Sequence, residues 1–103
     1  MSAQDLAAVV ERITKVDGVH PTIVPRLTLY RGSACSEPVA LVQDPAFCFV
    51  AQGSKRVLLG EDAYVYDPAH FLLVSVGLPV ISQVTEASPE RPYLGIRIPR
   101  RSE

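Results

Sequence analysis

Histidine occurs only twice in this chain of 103 residues, at His20 and His70, and cysteine only twice, at Cys35 and Cys48. A mononuclear metal site usually draws on three protein ligands in defined geometry, and two distant histidines without clustered carboxylates do not supply them. Twelve residues separate the cysteines, with no second pair and no adjacent histidine, so the spacing matches neither a zinc nor a redox pattern. They read as reduced thiols, Cys48 packed within a strand. Phosphate cradling needs a Gly-rich loop that opens a helix, whereas Gly53 and Gly60 bracket a hairpin strand. Ser75, Ser82 and Ser88 have no histidine within inferable reach, which leaves a hydrolytic triad unsupported. The expectation is no catalytic residue, no metal and no cofactor.

Excess positive charge is missing as well. Ten Lys and Arg stand against eleven Asp and Glu, for a formal charge of −1 and an isoelectric point near 6.1. Phosphate neutralisation supplies most nucleic-acid affinity, so direct nucleic-acid binding by this chain is not expected. Lys55, Arg56, Arg31, Arg97, Arg100 and Arg101 are the notable cations, and they read as scattered, solvated charges. The amino terminus has Asp5, Glu11 and Arg12 within its apolar stretch and no basic leader, which fits neither a signal peptide nor a membrane span. Cytoplasmic residence is the resulting expectation. At this length one domain is expected, burying about 60 to 70% of its unfolded surface.

What is present is β-rich. Ser2 and Asp5 resemble a capping box, and Leu6, Val9, Val10 and Ile13 recur at helical spacing, which predicts one amphipathic helix over about 3–15. Asp17-Gly18 is expected to stop it, with Pro21 and Pro25 keeping the connector extended. Eight strands are then predicted: Arg26–Arg31, Val39–Val42, Ala46–Gln52, Lys55–Leu59, Ala63–Tyr66, Phe71–Val76, Val80–Glu86 and Tyr93–Ile98. Gly, Pro, Asp and Ser punctuate them at intervals that suit a barrel or jelly roll. By period-two alternation Phe47, Phe49 and Ala51 share one face, and Cys48, Val50 and Gln52 the other. Tyr64 and Tyr66 share a face that could floor a pocket or simply pack the barrel. Glu86 either faces a cavity or ends a solvated strand edge. Strand position and chemistry single out Phe49, Tyr64, Tyr66, His70 and Gln83 as ligand-lining candidates, although alternation puts some of these on opposite faces.

Several blocks carry a family resemblance: Phe49 to Val57 (FVAQGSKRV), Tyr66 to Val76 (YDPAHFLLVSV), Leu78-Pro79-Val80, and Glu86 to Tyr93 (EASPERPY), with flanking matches from Thr22 to Leu27 and through Gly95. The chain resembles the amino-terminal cupin-like domain of AraC-type (AraC/XylS) transcription regulators. The resemblance implies an all-β, cupin-like double-stranded β-helix or jelly-roll barrel over about 23–98 with one amino-terminal α-helix. It further implies a domain that binds a small effector, or pairs as a homodimer, and passes the result to a DNA-binding domain; the Phe, Tyr, Val and Leu content of the predicted lining points to a mostly apolar or aromatic effector. That family normally continues into a helix-turn-helix pair that these residues do not include, so a fragment or a truncated regulator is expected.

Metal-dependent cupins carry two histidines and a glutamate ahead of a strand-ending glycine. With Gly53 in that place, the glutamate position falls near Ala46, the histidine positions among Val39 to Val42, and the second-motif histidine near Pro79-Val80, none of them ligating. Two rival readings remain open at this point: a small cupin-fold enzyme such as an isomerase or dioxygenase, and a purely structural dimerisation module.

Overall fold

The computed structural model describes residues 3–22, 27–43, 45–70, 72–74 and 77–99. Helix α1 spans Ala3–Ile13, with Asp5 in its first turn and Arg12 in its last, each favourable to the helix dipole. Its buried face is Ala7, Val10 and Thr14, whereas Ile13 is 54% exposed. The helix is thus rotated from the expected stripe. Ala7 permits close approach to the sheet, and Thr14 can be buried because its hydroxyl donates to the Val10 carbonyl at 2.8 Å.

Nine strands follow among the described residues: β1 Gly18–Pro21, β2 Thr28–Gly32, β3 Val39–Gln43, β4 Ala46–Gln52, β5 Ser54–Leu59, β6 Asp62–Tyr66, β7 Leu72–Val74, β8 Leu78–Glu86 and β9 Tyr93–Pro99. All pairings are antiparallel, in one sheet of order β1-β2-β9-β4-β7 and another of order β3-β8-β5-β6. The fold is mainly β and jelly-roll-like with one short helix, as expected.

The added strand is β1, whose residues read in the sequence as an extended connector. Gly18 does not cap the helix, which ends at Ile13. It opens a strand with φ of +130°. Pro21 is tolerated there because β1 is an edge strand, where a missing N–H breaks no ladder. Asp17 ties this hairpin to the helix end. Its carboxylate accepts from the Ser33 hydroxyl at 2.6 Å and the Ser33 amide at 3.1 Å, and pairs with Arg31 at 3.6 Å. Arg31 in turn donates to the Thr14 carbonyl at 2.6 Å. The predicted strand over 71–76 is described only at Leu72–Val74, and Arg26 also lies outside the described residues.

Two cores result. One lies between the sheets, with Ala46, Cys48, Val50, Val57, Tyr66, Val80 and Tyr93 buried. The other lies between α1 and the first sheet, formed by Ala7, Val10, Leu29, Ala51, Leu94 and Ile96. Strand β4 divides its side chains between the two. Its pairing with β9 shifts between Val50 and Gln52, so Gln52 opposes Leu94 and leaves the face of Cys48 and Val50 to which strict alternation assigned it.

Candidate functional site

The inner faces of the two sheets do not fill the space between them. A cavity of about 280 Å³ remains, walled by Tyr30, Tyr66 and Tyr93 with Cys48, Lys55 and Arg97, and completed by Leu41, Val42, Phe49 and Ile96. Strand register explains how these groups converge. On the first sheet Tyr30 and Val50 both oppose Gly95, and Thr28 and Cys48 both oppose Arg97, so Tyr30, Cys48 and Arg97 share the inward face. On the second sheet Lys55 opposes both Tyr66 and Val84, on the same face as the buried Val57.

Gly95 is required by the floor of this space. A Cβ at that position would stand 2.6 Å from the Tyr93 Oη and 3.0 Å from its Cζ, so the Tyr93 ring lies directly over the glycine. Tyr93 is thereby laid along the sheet, buried to 6% exposure.

Burial dominates the electrostatics. It lowers the Lys55 pKa, because an ammonium loses hydration there, with only the nearby Cys48 acting in the opposite sense. Burial raises the Cys48 thiol, against the pull of Lys55 and Arg97, which keeps it in the unreactive protonated form. It raises Tyr66 and Tyr93 strongly, with Cys48 and Tyr30 adding unfavourable charge to both phenolates. The cavity therefore combines neutral phenols, a neutral thiol and two basic side chains, with no carboxylate in its lining among the described residues.

A wider and more open groove of about 640 Å³ lies over the turns, lined by Cys35, Gly53, Asp67, Pro68, Ala69, Thr85, Glu86, Ala87, Ser88 and Arg91. Its carboxylates are engaged in holding those turns. Asp67 accepts from the Ala69 amide and pairs with His70, each at 2.9 Å, and these bonds hold its carboxyl below the usual range. Glu86 is exposed and accepts from the Ser54 hydroxyl at 3.2 Å, while Ser54 shares a 2.7 Å bond with Thr85. Because its carboxylates are already paired and its walls are turns, this groove is the weaker candidate.

Of the residues singled out from sequence, Tyr66 walls the inner cavity, and Phe49 borders it while packing against the core beneath α1. Tyr64 shares a face with Tyr66 but is 47% exposed on the sheet edge, and His70 stands in the exposed Asp67 turn. Gln83 opposes Arg56 on the outer face of its sheet. Sequence reasoning missed Tyr30, Cys48, Tyr93, Lys55 and Arg97. The reading of Lys55 as a solvated charge gives way, since it is half-buried against the cavity. Alternation carried the signal: Lys55 has the parity of Val57, and Arg97 that of Tyr93. Among the described residues no three His, Cys, Asp or Glu side chains cluster as metal ligands would.

The family model for the AraC-type transcriptional regulator N-terminus matches residues 23–100. No curated protein sequence and no solved structure matches the chain significantly.

Proposed function

This chain belongs to the family of AraC-type transcriptional regulator N-terminal domains, and from that premise we propose that it is a non-enzymatic sensing domain whose inter-sheet cavity binds a small-molecule effector. The observation that carries the reading is the cavity of about 280 Å³ walled by three tyrosines and a few placed polar groups. Small-molecule sites are built in this way, from mostly apolar and aromatic walls with a handful of orienting polar atoms. A cupin-like barrel provides such a space at the junction of its two sheets, and cytoplasmic residence suits a regulator. The raised phenols and thiol suit recognition better than proton transfer, because neither ionises near neutral pH.

A thermal-shift panel of small aldehydes, aromatics, sugars and acids tests this reading. A ligand at a hundredfold its Kd adds about 2.7 kcal/mol of stability. The expected result is stabilisation by a subset of compounds that is lost when Tyr66 is replaced by Ala. A panel without any stabilising member would count against the proposal.

Pairing of two copies is a second reading, favoured by a specific observation. The outer face of the second sheet exposes Val65 at 57% and Ile81 at 41%, whereas α1 covers the outer face of the first. Sedimentation at increasing concentration is expected to show a dimer that Ile81→Glu weakens, and monomer throughout refutes this reading.

A further inference from the structure

The chemistry of the inner cavity narrows its occupant. Lys55 reaches it from β5 in one sheet and Arg97 from β9 in the other, and Cys48, directly opposite Arg97, feels the charge of both. Among the described residues neither base makes an ion pair within 4.0 Å, and no carboxylate lines the space. Two basic groups brought to one cavity without an anion are costly unless something else neutralises them.

We propose that the occupant is a small monocarboxylate with a compact apolar body, its carboxylate held between Lys55 and Arg97 and its body packed against Tyr30, Tyr66 and Tyr93. This rests on the effector reading above and deepens it. An Arg fork matches a planar carboxylate, and Lys55 adds a point charge from the opposite sheet. The neutral phenols can donate to the same anion without repelling it. About 280 Å³ suits a single ring or a short chain. A neutral sugar would leave both bases unpaired, and the single negative charge of a carboxylate suits a site whose ammonium is already resisted by burial.

Titration calorimetry with matched pairs of equal shape tests the charge requirement: benzoate against benzamide, and hexanoate against hexanamide, on the full chain as wild type, Lys55→Met and Arg97→Gln. The expected result is that each acid binds the wild type at least about tenfold tighter than its amide. Both variants should lose most of that preference while keeping the weaker amide binding. If the amides match or exceed the acids in the wild type, the carboxylate inference is overturned while the effector cavity stands. Absence of heat from every compound overturns both. Should either variant fail to fold, the wild-type comparison and the other variant still decide between these outcomes.

Discussion

Gly53 and Gly60 both hold left-handed backbone, with φ of +81° and +62°, yet their surroundings differ completely, and the difference can be read as a stability gap. Replacing either by Ala incurs the penalty of placing an L side chain at positive φ, about 1 kcal/mol. At Gly60 nothing lies within 4 Å of the new methyl, so the cost ends there. At Gly53 the methyl would sit 2.4 Å from the Glu86 carbonyl oxygen and 3.1 Å from the Tyr93 Cα. Both are backbone atoms, so neither can swing aside as a flexible side chain would. Overpacking of this kind adds about 1–3 kcal/mol, and Gly53→Ala should therefore cost roughly 3 kcal/mol against about 1 for Gly60→Ala. For a domain of this size the midpoint should fall by roughly 12–24 °C for Gly53→Ala and by roughly 4–8 °C for Gly60→Ala. Thermal and urea unfolding followed by circular dichroism measure both. Equal losses at the two positions would refute the close approach of β4, β8 and β9 at Gly53, and with it the placement of Tyr93 over the cavity floor.

Other expected outcomes follow from named groups. Leu94 is fully buried between α1 and the sheet, so Leu94→Ala should cost about 2–5 kcal/mol in urea unfolding, and a loss below about 1 kcal/mol would contradict that packing. The Tyr66 and Tyr93 pKa values are raised in the fold above their ordinary 10. The folded state therefore keeps protons that the unfolded chain releases, and stability should fall as pH rises above about 10. Tyr66→Phe should flatten that fall, and an unchanged alkaline limb would argue against a buried phenol. Asp17 lies below its ordinary 3.8 through Ser33 and Arg31, so its contribution is present above that pH and lost as pH falls through its folded value. Asp17→Asn should accordingly lower the midpoint at neutral pH, with the gap to wild type closing in acid. A gap that persists in strong acid would rule out the carboxylate as its source.

Much of the fold was legible because period-two alternation and turn residues act locally. The predicted Ala46–Gln52 strand coincides with β4, and most other boundaries lie within two residues, since Gly53 and Gly60 end strands by conformations other residues resist. Strand β1 was not legible, because its pairing with β2 depends on a tertiary hairpin held through Asp17 and Ser33. The rotation of α1 was hidden too, since Ala7 and Thr14 face inward for packing and self-bonding rather than for hydrophobicity. At the site the aromatic content was visible, but which tyrosines face inward was not. Tyr64 and Tyr66 have equal parity, and only closure of the two sheets distinguishes the exposed one from the buried one. Lys55 and Arg97 were discounted because a lone charge in a sequence is usually solvated. Their convergence from different sheets is a fact of topology rather than of composition.

The four tyrosines provide the most direct test, three of them walling the cavity and Tyr64 lying outside it. Fluorine NMR of protein labelled with 3-fluorotyrosine, assigned by single Tyr→Phe replacements and titrated with benzoate, reads all four positions at once. The resonances of Tyr30, Tyr66 and Tyr93 should move together and saturate while that of Tyr64 stays in place. Movement of Tyr64 with the other three unchanged would contradict a ligand site between the sheets.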